Sequence, residues 1–445
     1  MSGRNLLEVR PVGAVLRSRL YPVAFQWLAL GVFVLVVWQL LAGPNAAHDN
    51  LGTALLWVVW WPLLPILFLL AGRFWCAVCP YGLVSDLVQK VVGAGRPVPR
   101  FLKRYGIWII DAWFIGITWA DHVWGIVHSP WGSGMLLLLI AVVVVASGAF
   151  LQRRAFCRYV CFLGGLAGNY SRAGIVELRA SEDVCATCEA RAVCFNGGEA
   201  APACPLFEFP RTMDSSANCV LCANCVKNCP NDALRLTVRG PARELWFISR
   251  PRTSEAFLAA AIMGIVLVQN VTMLDIWGTI LARIENLSGS ASYTVNYTIA
   301  FALAIALPLL LLGVASSFAS VATRETLRQG FTAFGYALIP LDLAAHLAHN
   351  LFHLLAEGKA VGYTALGLVG HQHAHTSTAL VSDGTIQLLQ FALVGLGTLV
   401  SLDVARRIAS RATGGLVVAV PYALLIAGFG ALNVWLFTMP MATRM

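Results

Sequence analysis

The chain has 445 residues, of which 58% are hydrophobic and 12% charged. A mean hydropathy of +0.73 is more apolar surface than a water-soluble fold can hide, so the composition excludes an ordinary soluble domain and describes a polytopic membrane protein. The formal charge of +9 is not a nucleic-acid signal, because the basic residues gather in the connections between apolar runs.

Apolar runs long enough to cross ~30 Å of hydrocarbon as helix lie at about 24–42, 52–71, 105–124, 133–150, 255–274, 297–322, 331–356, 386–404 and 415–438. These nine spans predict a mainly α, polytopic helical protein. The first run is read as a retained span, since the stretch ahead of it is too long for the n-region of a signal peptide.

With the N-terminus in the cytoplasm, the inner segments are 1–23, 72–104, 151–254, 323–330 and 405–414. Every Lys and Arg except Arg283, Lys359 and Arg444 then lies inside, which is the positive-inside pattern of a bacterial inner membrane. The same arrangement puts all twelve cysteines on the inner side. The histidines (His48, His122, His128, His346, His349, His353, His371, His373 and His375) fall in outer loops or the outer half of a span. Thiolate clusters suit a reducing compartment. The expected organisation is residues 1–150 as transmembrane hairpins with membrane-edge cysteines, 151–254 as an inserted α+β domain, and 255–445 as a histidine-rich bundle.

Two hairpins end alike. One runs into Gly72-Arg73-Phe74-Trp75-Cys76-Ala77-Val78-Cys79-Pro80-Tyr81-Gly82, the other into Arg153-Arg154-Ala155-Phe156-Cys157-Arg158-Tyr159-Val160-Cys161-Phe162-Leu163-Gly164. An arginine, an aromatic, a cysteine pair and a glycine recur in order, as in a duplicated hairpin. Cys76, Cys79, Cys157 and Cys161 would meet around a pseudo-two-fold axis. They can hold a third [4Fe–4S] cluster, a Cu(I) or Zn(II) ion, or reversible disulfides.

The inserted segment carries Cys185-x2-Cys188-x5-Cys194-x9-Cys204-Pro205 and then Cys219-x2-Cys222-x2-Cys225-x3-Cys229-Pro230. The second half is the bacterial iron–sulfur run C-x2-C-x2-C-x3-C-P, in which the fourth cysteine serves the neighbouring cluster. One [4Fe–4S] cluster is therefore assigned to Cys219, Cys222, Cys225 and Cys204, and the other to Cys185, Cys188, Cys194 and Cys229. β-rich pieces at 174–179 and 233–238 flank the run, giving a two-cluster ferredoxin-like domain.

Across residues 24–250, the Gly-Arg-x-x-Cys and Cys-Pro-x-Gly hairpin end, the second cysteine pair and the following two-cluster domain resemble the NosR/NapH/CcoG group of membrane polyferredoxins. Members typically carry C-x3-C-P at the hairpin ends. This chain has C-x2-C-P at Cys76 and Cys79, and C-x3-C followed by Phe162. The resemblance implies membrane-bound iron–sulfur electron transfer serving respiration or the assembly of a respiratory enzyme, but it does not reach the last spans.

There, Asp342, His346, His349 and His353 share one stripe of a helix. Such residues within a bilayer point to function. The stripe is expected either to ligate haem b or to line a quinol site with Asp342 as proton acceptor. Alternatively it joins His371, His373 and His375, whose alternation puts them on one side of an extended segment suited to copper. The leading expectation is relay of electrons between a cytoplasmic or quinone pool and a periplasmic redox protein or enzyme. The alternatives are a cupric reductase or metal-centre maturation factor acting at the outer face, and a redox sensor that needs only the clusters.

Overall fold

The computed structural model describes residues 4–248, 250–323, 325–370, 377–412 and 414–441. Among these, eight helices are long and apolar enough to cross a membrane: Val23–Ala42, Leu51–Ala71, Pro130–Phe150, Thr253–Thr272, Tyr293–Val321, Leu327–Ala356, Asp383–Ala409 and Gly415–Leu436. The remaining expected run, 105–124, is a 25-residue helix, Arg100–Trp124, outside that set. Its length suffices for a crossing. Basic residues in its first turn, with Asp111, Asp121 and His122 further on, dilute its hydropathy.

The described residues divide into two compact units. The first comprises Met1–Ala42, Ile66–Trp113 and Gly134–Ser249. Strands β1 (Val176–Ala180) and β2 (Leu234–Val238) pair antiparallel there, with Leu178 opposite Leu236. The two-residue period turns Leu178, Leu234 and Leu236 inward, where they join Val226, Ala233 and Met213. Leu7 and Tyr21 from the N-terminal tail complete this core. The tail is also pinned by polar contacts. Leu236 N donates to Asn5 Oδ1 at 3.1 Å, Tyr21 Oη to the Leu221 carbonyl at 2.7 Å, and Arg17 pairs with Asp232 at 2.6 Å.

Each hairpin of this unit closes on itself. Gln26 Nε2 donates to the Ala77 carbonyl at 2.7 Å, joining the start of Val23–Ala42 to the chain just after Leu51–Ala71. Arg96 forms a parallel bridge with Leu151, joining the chain just before Arg100–Trp124 to the end of Pro130–Phe150. Beneath the sheet, the buried Arg239 pairs with Glu177 and Glu244, and Glu244 accepts the Ser216 amide at 2.9 Å.

The second unit comprises Gly43–Pro65, Phe114–Ser133 and Arg250–Met445. Its central helix, Thr253–Thr272, is buried almost throughout because small side chains let neighbours approach. A Cβ on Gly264 would strike the Ala304 carbonyl, and one on Gly335 would meet Ala256. A 3-10 turn over Tyr336–Leu338 separates Leu327–Gly335 from Ile339–Ala356, which has Pro340 in its first turn.

Candidate metal centres

The duplicated hairpin ends fold in the same way. Cys76 lies in the one-turn helix Phe74–Val78, and Cys79 is the N-cap of Pro80–Val92. Cys157 lies in the one-turn helix Ala155–Tyr159, and Cys161 is the N-cap of Phe162–Ala173. In each copy an arginine caps the short helix, Arg73 in one and Arg154 in the other. The second cysteine of each pair takes hydrogen bonds from the opening turn of the next helix, Cys79 from Gly82 and Tyr81, Cys161 from Gly164.

The four hairpin thiols act on one another. Burial pushes Cys79 up to about 12, and the charges of Cys157 and Cys76 add to it. Burial raises Cys157 to about 11, with Arg154 opposing and Cys76 reinforcing. Cys161 is raised by burial and then by Cys157, Cys76 and Cys79. Four half-buried cysteines acting on one another, beside two buried guanidinium groups, form a donor set for a thiophilic cationic centre.

The eight cysteines between Cys185 and Cys229 gather in two further groups. Cys185, raised first by burial, then feels Cys229 and Cys188. Cys194, likewise raised by burial, feels Cys229, Cys185 and Cys188. The second group is deeper. Burial lifts Cys219 to about 12 and Cys222 to about 11, with Cys204 adding to both. Cys225 is raised by burial and then by Cys222, Cys219 and Cys204. Cys229 thus lies beside the first run and Cys204 beside the second.

The two Cys-Pro steps turn alike. After Cys204-Pro205 the chain turns through a left-handed Phe207, and the Glu208 amide points back to Cys204 Sγ at 3.3 Å. After Cys229-Pro230 it turns through a left-handed Asp232, and the Ala233 amide points back to Cys229 Sγ at 3.3 Å. The looser first half of the motif therefore ends in the same turn as the regular second half. In the Cys219–Cys225 loop, left-handed Leu221 and Ala223 are followed by the short helix Asn224–Asn228. There the amides of Leu221 and Asn224 serve Cys219 and Cys222. Arg153 and Arg158 stack on Phe207 at 4.2 and 4.0 Å.

All twelve cysteines are free thiols. Among the described residues no three His, Cys, Asp or Glu side chains close tightly enough to hold a single metal ion.

The histidine stripe is more dispersed. His349 Nδ1 lies 2.8 Å from Asn270 Oδ1, and His353 Nδ1 lies 3.6 Å from Glu357. His346 packs beside Trp61. These three therefore do not converge on one ion among the described residues. Asp342 is fully buried, and neither carboxyl oxygen has a hydrogen-bond partner among the described residues. His371, His373 and His375 lie outside the described residues. Three features escaped the sequence reading: Asp86, which clamps Arg154 at 2.6 Å; the tail residues Asn5, Arg17 and Tyr21; and the role of Gly82 and Gly164. Only the glycines carried a signal, their recurrence three residues after the second cysteine of each pair.

A family described as a 4Fe–4S binding domain matches the chain twice, over residues 53–99 and 133–176, which are the two hairpin ends. A protein described as "Putative electron transport protein YccM" of Escherichia coli is 26% identical over 208 residues, 40% of this chain and 54% of that protein. An uncharacterised protein of Methanocaldococcus jannaschii is 24% identical over 176 residues, 38% of this chain and 66% of that protein. The chain thus spans about half of the first relative and just under two thirds of the second. No solved structure matches it. The family match supports iron–sulfur binding in a chain with eight helices long and apolar enough to cross a membrane among the described residues.

Proposed function

We propose that the protein is a membrane-embedded electron relay with three [4Fe–4S] centres in its first unit. The hairpin cysteines Cys76, Cys79, Cys157 and Cys161 would hold one. Cys204, Cys219, Cys222 and Cys225 would hold the second, and Cys185, Cys188, Cys194 and Cys229 the third. The observation that carries this reading is that the twelve free cysteines fall in three neighbourhoods, the hairpin ends, the Cys185–Cys194 run with Cys229, and the Cys219–Cys225 run with Cys204, the last two close enough that Cys225 also feels Cys194. The two family matches on the hairpin ends add to it.

When bound, the clusters supply one-electron chemistry at potentials that the surrounding charge, hydrogen bonds and burial set. The chain supplies the rest. Amide donors from Glu208 and Ala233 orient the two crossing sulfurs. Burial of the hairpin and Cys219–Cys225 sets keeps water from them, while the Cys185 set lies nearer the surface, where a soluble carrier can exchange electrons.

Nine crossings follow if Pro130–Phe150 spans the membrane. The Arg96–Leu151 bridge returns the hairpin to its start, so Arg100–Trp124 must cross as well. The bias of Lys and Arg supports a cytoplasmic position for this end, in a bacterial inner membrane. Within the bilayer the reading assigns a quinol as partner, with Asp342 as proton acceptor and His346 on the next turn. A fully buried carboxyl without a partner is costly in lipid and persists where protons are handled. A periplasmic redox protein remains the proposed outer partner.

Metal analysis with EPR of the purified protein tests the relay. About twelve irons per chain, as three cubes, fit the proposal, and about eight fit the inserted domain alone.

A further inference from the structure

Arg73 is buried to 5% exposure, and its surroundings differ from those of Arg154 and Arg239. Arg154 is held by both oxygens of Asp86, and Arg239 pairs with Glu177 and Glu244. No carboxylate lies within ion-pair distance of Arg73 among the described residues. Its Nη1 donates to the Ala217 carbonyl, its Nη2 lies 3.8 Å from Cys76 Sγ, and its Nε is buried with no partner. Nη2 also lies against the other hairpin, 3.4 Å from where a Cβ on Gly164 would stand. The guanidinium therefore lies between Cys76 of its own hairpin and the Gly164 backbone of the other.

A buried cation needs an anion. Neutral thiols or disulfides at Cys76, Cys79, Cys157 and Cys161 would leave Arg73 uncompensated. Four thiolates around an iron–sulfur cube carry a net negative charge and supply what is missing. We propose that Arg73 is the built-in counter-charge of the hairpin centre and holds the reduction potential of that centre up. The inference rests on the three-centre reading above. Reduction brings one electron into the centre from a neighbouring centre, which is oxidised by the same electron. No bond forms or breaks, and Arg73 stays protonated throughout. The reduced form has one more negative charge, so the guanidinium favours it. Through the Ala217 carbonyl the same side chain also touches the loop leading into Cys219, the first ligand of the adjacent centre.

The test is an EPR-monitored redox titration of the full-length protein, together with Arg73→Met and Arg73→Lys. The hairpin signal is identified as the one lost in Cys76→Ser. Arg73→Met is expected to lower the reduction equilibrium constant of that signal at least tenfold, about 59 mV for a one-electron couple. Arg73→Lys should stay within about threefold of the parent, and the signal that depends on Cys185 should not move. Loss of the hairpin centre from Arg73→Met with retention in Arg73→Lys also supports the counter-charge. An unchanged midpoint in Arg73→Met overturns it, as does loss of the centre from both variants. Absence of a third signal in the unsubstituted protein overturns the three-centre reading itself, and is seen before any variant is made.

Discussion

The guanidinium of Arg154 occupies the space that a side chain on Gly82 would need: a Cβ there would come within 2.5 Å of Nη1. The relation is reciprocal. Arg73, from the hairpin that contains Gly82, lies over Gly164, from the hairpin that contains Arg154. Each copy of the duplicated motif thus lends its arginine to the glycine of the other, and Arg154 Nη1 reaches the Cys76 carbonyl at 3.5 Å. The four cysteines are held by this exchange of arginines.

Gly82→Ala should therefore displace Arg154 and loosen its clamp on Asp86. Overpacking of this kind costs about 1–3 kcal/mol. The measurement is thermal unfolding in detergent, with Gly116→Ala as control because a Cβ there meets nothing within 4 Å. Equal effects from the two substitutions would remove the proposed role of the glycine.

Crossed ligation predicts which cysteines share a fate. Cys229→Ser should abolish the EPR signal that Cys185→Ser abolishes and spare the one that depends on Cys219. Cys204→Ser should do the reverse. If Cys229→Ser instead removed the Cys219 signal, ligation would be sequential and the crossed assignment wrong.

Stripping the metal should expose a pH dependence of stability. In the iron-free protein Cys79 and Cys219 hold their protons to about 12, and Cys157 and Cys222 to about 11. An unfolded thiol releases its proton at about 8.5. Between these values the folded state binds more protons, so stability falls as pH rises from about 9 toward 11. Below that window both states are protonated and the contribution vanishes. Denaturant titrations of iron-free protein at pH 7, 9 and 10.5 check the sign; a midpoint that rises with pH would refute the burial of these thiols.

Asp342→Asn should leave folding intact, since it replaces an unpartnered buried carboxyl by a neutral group of similar shape. Reduction of the iron–sulfur centres by a quinol analogue should slow at least tenfold, while reduction by dithionite is unaffected. Unaltered quinol-dependent reduction would detach Asp342 from the proposed function.

Much of this was legible in the sequence. The flanking β-rich pieces emerged as the paired strands Val176–Ala180 and Leu234–Val238, within two residues at either end. The repeated Arg, Cys and Gly residues announced the paired hairpin ends. What stayed hidden depends on partners distant in the chain. Asp86 lies in a helix where a lone acid reads as a solvated residue, and only the fold brings Arg154 to it from 68 residues away. Asn5, Arg17 and Tyr21 belong to a short polar and apolar tail with no pattern to reveal that it braces the cluster domain. The stripe Asp342, His346, His349 and His353 was visible as a helical face, but periodicity cannot say that His349 turns to Asn270 and His353 to Glu357.

Iron and acid-labile sulfide per chain, quantified on protein reconstituted without oxygen, test the central claim most directly. Three centres predict about twelve of each, falling to about eight in the Cys76→Ser and Cys157→Ser variants alike. About eight in the parent protein, unchanged by either substitution, would contradict a centre at the hairpin ends.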